Sequence, residues 1–169
     1  MDAQHRPSSG LARAVCSWIS SGFCSGHARV APGSVGSLVA LGFVGLLWWF
    51  SIVTTPLQVA FLALATTLVG LVSAHVCVSG SGEKDPGWIV IDEWAGLFVA
   101  LIGVNPASVW MVLSAFCFFR LFDVVKPGPV AWAERLPGAA GIMADDLVAG
   151  ALSALCVQAV WALWGSVVA

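Results

Sequence analysis

Charged side chains are scarce in this sequence: they make up 9% of its 169 residues, whereas hydrophobic residues make up 59%. A soluble domain typically carries about 25% charged residues. So few charges could not cover the surface of a soluble core of this size, which indicates that lipid is the solvent for much of the surface. The net charge of −2 is also unlike that of a nucleic-acid-binding protein, and we expect no nucleic-acid partner.

Other absences exclude further classes of protein. Tyrosine is missing, yet there are nine tryptophans, and tryptophan favours membrane interfaces. The five cysteines form no CxxC pair, which argues against a disulfide framework or a zinc site. No GxxxxGK[ST] motif is present, so the chain is not a P-loop NTPase. Cys24 and Arg29 are one residue too close for the loop of a cysteine phosphatase, and the three histidines at 5, 27 and 75 do not suggest a catalytic pair.

Three long segments contain no Asp, Glu, Lys or Arg: 53 residues after Arg29, 26 after Glu93 and 23 after Asp146. A membrane-spanning helix needs roughly 20 apolar residues. The first segment is long enough for two spans, with a turn at Thr54-Thr55-Pro56 because proline interrupts helices. The first and last segments therefore predict spans at Gly36–Val53, Leu57–Val78 and about Leu147–Leu163.

The middle segment, Trp94–Phe119, allows two interpretations. It is either one long tilted helix or two short helices joined by a turn at Gly103-Val104-Asn105-Pro106, since these residue types break helices. Lysine and arginine favour the cytoplasmic side, and only the hairpin puts all of them on one side: Arg6, Arg13, Arg29, Lys84, Arg120, Lys126 and Arg135. The hairpin is therefore favoured, with the N-terminus inside and the C-terminus outside.

We predict an all-α fold, a polytopic membrane helical bundle of about five membrane helices in which the short third and fourth form the hairpin. Residues 1–169 form a single integral-membrane domain. Its N-terminal segment, residues 1–28, is not a convincing secretory signal, because the apolar stretch from Leu11 to Ile19 is short and interrupted by Arg13. We expect this stretch to form a short amphipathic helix at the membrane surface.

The acidic residues that matter lie at the predicted helix ends. Asp92 and Glu93 begin the third helix and the Asp145-Asp146 pair begins the last, where simple capping is the alternative explanation. Two adjacent acids repel each other, however, and a bound cation would relieve that repulsion. Asp123 lies near the end of the fourth helix, where a negative charge is unfavourable, although an ion pair with Arg120 or Lys126 would also explain it.

Together these acids predict a Mg²⁺ site, because Mg²⁺ prefers oxygen ligands and is often shared with a substrate phosphate. The candidate metal ligands are Asp92, Glu93, Asp123, Asp145 and Asp146. Arginine and lysine bind phosphate oxygens, and small residues before a helix let its N–H groups approach a phosphate. The candidate substrate-binding residues are accordingly Arg29, Gly33, Ser34, Gly36, Ser37, Lys84, Arg120 and Lys126.

Four motif blocks then carry a resemblance to a known family. They are Ala31–Leu38, Lys84–Pro86 with Ile89–Gly96, Phe119–Pro127, and Gly141–Gly150. In this order they resemble the APGT-x-GSL, KDP…IV-x-DE-x-x-G, F-R-x-F-D-x-x-K-P and G-x-x-x-DD-x-x-AG signatures of the phosphatidylglycerophosphatase A family. Two departures are visible: Ser34 stands for the usual threonine and keeps its hydroxyl, and Gly128 stands where tryptophan is common.

The resemblance implies a Mg²⁺-dependent enzyme of the bacterial inner membrane with its active site on the cytoplasmic face. Such an enzyme hydrolyses phosphatidylglycerophosphate to phosphatidylglycerol and phosphate by Mg²⁺-assisted attack of water. Its partner is the phospholipid substrate in the membrane, and no obligate protein partner is evident. The candidate catalytic residues are Asp85, Asp92, Glu93, Asp123, Asp145 and Asp146, whereas Glu134 lies outside the motif blocks and is expected to matter little.

Two other functions compete with this one. A cation transporter would use intramembrane acids, but it predicts carboxylates near the middle of its spans, and the apolar segments here contain none. A non-catalytic lipid-binding subunit would not require so many closely grouped acids.

Overall fold

The computed structural model describes residues 10–79 and 86–168, with side chains described up to Trp164. Within those ranges every regular element is helical, and there are seven α-helices. They are α1 (Gly10–Ser20), α2 (Pro32–Trp49), α3 (Pro56–Val78), α4 (Ile91–Ala100), α5 (Val109–Val125), α6 (Gly128–Ala133) and α7 (Ala139–Val168). The all-α prediction is therefore confirmed for the described part of the chain.

Three of the described helices are long and apolar enough to cross a membrane: Pro32–Trp49, Pro56–Val78 and Ala139–Trp164. Their outward faces carry large apolar side chains such as Trp49, Leu57 and Phe61, which are 83%, 79% and 71% exposed. Because water does not favour such a surface, these faces are suited to lipid. The composition had predicted this property.

The turn between α2 and α3 shows how local sequence sets the helix ends. Pro56 occupies the first turn of α3, where its missing N–H costs nothing. The Thr55 hydroxyl accepts a hydrogen bond from the Gln58 backbone N–H at 3.3 Å, and Gln58 Oε1 accepts one from the Thr55 N–H at 3.0 Å. This reciprocal capping box fixes the start of α3 and confirms the turn predicted at Thr54-Thr55-Pro56.

Helix α4 lies at the centre of the bundle, packed against α2, α3, α5 and α7. Eight of its ten residues are buried. At 1.5 Å per residue it is about 15 Å long, which is half the roughly 30 Å thickness of a bilayer core. The surrounding helices cover most of its surface, as its buried residues show. The chain then turns between Leu101 and Ser108 and returns as α5, which confirms the predicted hairpin and excludes one long helix over Trp94–Phe119.

Two sequence predictions about the last helix are wrong. Helix α7 begins at Ala139, so Asp145 and Asp146 lie in its second turn and do not begin the helix. They therefore cannot be capping residues, because only the first turn offers unpaired N–H groups. The apolar span also starts earlier than Leu147, and the short helix α6 before it was not predicted.

The N-terminal segment forms the expected helix, α1, and a turn at residues 21–24 connects it to a short 3₁₀ helix, Ser25–His27. The Ser20 carbonyl accepts a hydrogen bond from the Val90 N–H at 2.8 Å. This contact ties the end of α1 to the segment that leads into α4. Its position at a membrane surface stays a prediction.

Candidate active site

Three carboxylates converge where α4 meets α7. One oxygen each of Asp92, Glu93 and Asp146 lies within 4.8 Å of the others. Asp92 and Asp146 are only 8% and 3% exposed. Buried charges are costly unless they are paired or coordinate a metal ion, so this arrangement favours a bound cation.

A close crossing of two helices brings these acids together. A side chain at Gly150 would collide with the Gly96 carbonyl, and one at Gly96 would collide with the Asp146 carbonyl. Small residues at such a crossing let helix backbones approach closely. Asp92 and Asp146 each lie four residues before one of these glycines, which is one turn away on the same helix face. The crossing therefore sets the two carboxylates opposite each other.

The three acids are not fully satisfied by the protein. Glu93 Oε2 and Asp146 Oδ1 are buried and have no hydrogen-bond partner among the described residues. Asp92 Oδ1 accepts a hydrogen bond from the Glu93 N–H at 3.1 Å. Unpaired buried oxygens are rare and call for an explanation. An oxygen-preferring cation such as Mg²⁺ would provide one.

Arg120 forms the adjacent cationic group on α5. Its Nη1 lies 2.7 Å from Asp123 Oδ2 and donates to the Ser37 hydroxyl at 3.2 Å. Its Nη2 donates to the Ser34 hydroxyl at 3.3 Å. The planar guanidinium is thus held in one orientation, which suits the recognition of a phosphate. Of the predicted residues, Asp123 joins the site through its ion pair with Arg120.

Gly33 has a different role from the one that its sequence position suggested. A β-carbon there would collide with Glu93 Oε1 and would come within 3.5 Å of Arg120 Nη2. Gly33 therefore leaves room for the Glu93 carboxylate beside the guanidinium. The start of α2, the first turn of α4 and the end of α5 consequently meet at this point.

We expect Gly33→Ala to lower phosphatase activity by about tenfold or more while the protein still folds. The obstructing atom is the end of a flexible side chain, so Glu93 can move aside but leaves its position opposite Asp146. A misplacement of about 1 Å can cost up to about a hundredfold in rate, and displacing a flexible side chain should cost less. Activity and thermal unfolding of the purified variant would be measured. Gly42→Ala is the control, since no atom of the described residues lies within 4 Å of a β-carbon there. Wild-type activity in Gly33→Ala would contradict this role.

Lys126 forms a second cationic group at the end of α5. Its Nζ lies 2.6 Å from Glu134 Oε1 and 2.9 Å from Asp145 Oδ2. Partial burial lowers the pKa of Lys126, but the hydrogen bonds to Glu134 and Asp145 outweigh this and raise the pKa above its ordinary value. Lys126 therefore stays protonated. Asp145 is thus engaged by a lysine, in contrast to Asp146 beside it.

The remaining predicted residues lie apart from the acids or outside the described part of the chain. Gly36 lies against Val90, where a side chain would collide with the valine. Arg29 is exposed and forms no hydrogen bond or ion pair with the residues that the structure describes. Lys84 and Asp85 belong to residues 80–85 and lie outside the described ranges.

The family model described as Phosphatidylglycerophosphatase A matches residues 18–161. The chain belongs to this family. The match contains the three converging acids, Arg120 and Lys126, and it confirms the resemblance that the four motif blocks carry. Members of the phosphatidylglycerophosphatase A family are phosphatases, and the transporter alternative receives no support.

Two relatives carry the family's name. The phosphatidylglycerophosphatase A of Escherichia coli is 36% identical over 136 residues, which cover 79% of this chain and 76% of that protein. The enzyme of the same name from Haemophilus influenzae is 34% identical over 143 residues, 82% of this chain and 84% of its own. A Bacteroides thetaiotaomicron protein, named provisionally as a phosphatidylinositol-3-phosphatase, is 37% identical over 151 residues, 82% and 89% of the two chains. No solved structure matches this phosphatidylglycerophosphatase A family member.

Sequence reasoning placed two glycines in motif blocks without foreseeing their structural role, and it did not foresee one contact of Lys126. Gly96 and Gly150 set the helix crossing, and Glu134 pairs with Lys126. A signal for the glycines was present, because each follows an acid by four residues, Asp92 and Asp146. No comparable signal existed for Glu134, since its contact with Lys126 depends on how α6 folds back.

Proposed function

We propose that this protein hydrolyses the terminal phosphomonoester of phosphatidylglycerophosphate, giving phosphatidylglycerol and phosphate. The observation that carries the proposal is the convergence of three carboxylates, the buried Asp92 and Asp146 and the half-buried Glu93, beside the Arg120 guanidinium. The family and the names of its relatives from Escherichia coli and Haemophilus influenzae support the choice of substrate.

The donor set fits Mg²⁺. Asp92, Glu93 and Asp146 would hold the ion, and their unpaired oxygens Glu93 Oε2 and Asp146 Oδ1 would be satisfied by it. Asp123 and Asp145 lie close enough to contribute charge. When bound, Mg²⁺ would neutralise phosphoryl charge and make a water molecule more acidic.

The chain's own residues supply binding and proton transfer. Arg120 would bind two phosphate oxygens, since its fork matches that geometry, while Ser34, Ser37 and Asp123 hold it in place. Lys126 would bind a further oxygen. Water adds to phosphorus as the bond to the glycerol oxygen breaks, and the proton that water loses passes through one of the carboxylates to the departing oxygen.

The direct test is phosphate release from phosphatidylglycerophosphate by the purified protein, with Mg²⁺ and after its removal by a chelator. We expect release that depends on Mg²⁺ and returns when the ion is restored. Phosphatidylinositol 3-phosphate is the informative second substrate, because a relative carries that name. Faster release from the phosphoinositide would replace the proposed substrate, and equal rates with and without Mg²⁺ would exclude the metal.

We also propose five membrane helices, α2, α3, α4, α5 and α7, in a bacterial inner membrane with the acids on the cytoplasmic face. The hairpin of α4 and α5 and the one-sided distribution of basic residues support this topology. Reporter fusions after Pro106 and after Ala169 should both read as external. A cytoplasmic signal after Ala169 would contradict the topology.

A further inference from the structure

A cavity that none of the candidate acids lines lies between α1, α2, α3 and α4. Its volume is about 350 Å³. The wall is almost wholly apolar and includes side chains from all four helices, among them Trp18, Phe43, Leu62, Val69 and Phe98. We refer to it as the apolar groove. None of the roles assigned to the acids or to Arg120 uses it.

The apolar groove and the acids share helix α4. Ile91, Trp94 and Phe98 line the groove, and their spacing of three and four residues places them on one helix face. Glu93 directly precedes Trp94 and therefore lies on the neighbouring face, about 100° around the helix. From Ile91 to Phe98 the wall rises about 10 Å, roughly a third of the hydrocarbon thickness. The groove thus runs from the level of the acids into the bilayer.

The turn that follows α1 contributes Phe23 to the wall of the apolar groove. Gly22, Phe23 and Cys24 all have left-handed backbone conformations, with φ of 54°, 56° and 74°. Such conformations are unfavourable for residues other than glycine, and they persist where the surroundings enforce them, often at ligand sites. The turn places the Phe23 ring edge-on to Trp18 at 4.6 Å and to Trp94 at 5.4 Å.

Trp94 supplies a polar atom in this wall that lacks a partner. The side chain is 3% exposed, and its Nε1 has no hydrogen-bond partner among the described residues. A buried indole N–H usually finds an acceptor. Nε1 lies against Gly22, in the turn that carries Phe23, and Trp94 directly follows Glu93 along the chain. A ligand of the groove would therefore be apolar along most of its length and would carry an acceptor at the end nearest the acids.

We propose that the apolar groove binds one acyl chain of the phospholipid substrate, with the ester carbonyl of that chain at the Trp94 N–H. This assignment rests on the proposed function, since it places the phosphate at Arg120. A protein helix is excluded as the occupant, because a cylinder about 10 Å across needs roughly 800 Å³ for every 10 Å of length. A single hydrocarbon chain fits the smaller volume and matches the apolar wall.

Filling the groove tests the assignment. Ala65 lines it on α3, and Ala65→Trp would occupy it from a helix face that tolerates apolar residues. We expect the KM for a long-chain substrate in mixed micelles to rise about tenfold, the low end of the discrimination shown by apolar pockets. Hydrolysis of a short-chain analogue should change less than about twofold by the same reasoning. Leu68→Trp is the matched control, because Leu68 is 56% exposed and does not line the groove.

Photolabelling gives a readout that does not depend on turnover. A phosphatidylglycerophosphate with a diazirine on one acyl chain would be irradiated with the full-length protein in phosphatidylcholine nanodiscs, and the adducts mapped by mass spectrometry. We expect adducts on groove residues that unlabelled substrate suppresses, and that Ala65→Trp removes but Leu68→Trp keeps. Trp94→Phe should weaken the labelling while the ring still fills its place.

The outcomes separate the two proposals. Labelling spread evenly over the lipid-facing surface, or an unchanged KM in Ala65→Trp, would overturn the groove assignment in an enzyme that still hydrolyses phosphatidylglycerophosphate. Suppressible groove labelling in a protein without that activity would instead overturn the proposed reaction, while the groove would stand as a lipid site.

Discussion

Asp146→Asn is expected to reduce turnover by at least about a hundredfold, the lower end of losses for catalytic groups. Asparagine keeps the size of the side chain but removes the charge from the cluster with Asp92 and Glu93. A helix cap would survive this change, but Asp146 lies in the second turn of α7 and cannot be a cap. Turnover of phosphatidylglycerophosphate would be measured together with Mg²⁺ binding by calorimetry, and both should fall.

Asp92→Asn should behave in the same way, because Asp92 faces Asp146 across the helix crossing. Glu134→Gln is the matched control, a carboxylate that is half exposed and, within the described part of the chain, pairs with Lys126 alone. Exposed ion pairs contribute about 0–1 kcal/mol, so the turnover of the control variant should fall by at most about fivefold. If folded Asp146→Asn and Asp92→Asn kept both activity and Mg²⁺ affinity, the carboxylates would have no catalytic role.

Arg120→Lys is expected to lower kcat/KM by about a hundredfold or more, although the positive charge is kept. Lysine carries its donors on one nitrogen and cannot reproduce the planar fork that reaches Ser34, Ser37 and Asp123 together. Losses of this size are typical when an electrostatic contact to the transition state is removed. Steady-state kinetics on phosphatidylglycerophosphate would show the effect, with thermal unfolding to confirm that the variant folds.

Arg135→Lys provides the comparison for Arg120→Lys. Arg135 is exposed and has no ion pair with the described residues, so this variant should retain wild-type kinetics. Equal effects of the two substitutions would indicate a general requirement for arginine at the membrane surface. Wild-type kinetics of Arg120→Lys would show that a point charge is sufficient and that the fork has no specific role.

Local signals in the sequence predicted most of the helices but not all of their boundaries. The capping box at Thr55 and Gln58 begins α3 where the proline indicated, and the Gly-Val-Asn-Pro segment separates α4 from α5. These signals act between neighbouring residues, so they are visible without a fold. The start of α7 was wrong because the acid pair resembled a cap, whereas the helix had begun at Ala139.

The sequence predicted which types of residue form the site but not which of them contact each other. Composition and charge spacing indicated that five acids and several cations would gather at one side of a membrane bundle. They left open whether Asp123 pairs with Arg120 or with Lys126, and they could not show that Asp92, Glu93 and Asp146 converge or that Asp145 pairs with Lys126. All five acids look alike in the sequence. Arg120 is only three residues from Asp123 on the same helix, but Asp92, Glu93, Asp145 and Asp146 meet their neighbours across different parts of the fold.

By itself, the sequence determined that this protein is a helical membrane protein and that it belongs with phosphatidylglycerophosphatases A. Hydrophobicity and helix signals are properties of neighbouring residues, and the motif blocks preserve residue types in order. Only the tertiary structure decided which carboxylates lack a partner, because that depends on how closely α4 and α7 approach at Gly96 and Gly150. It also decided that Gly33 makes room for Glu93, since a collision between atoms far apart in the chain exists only after the helices have packed.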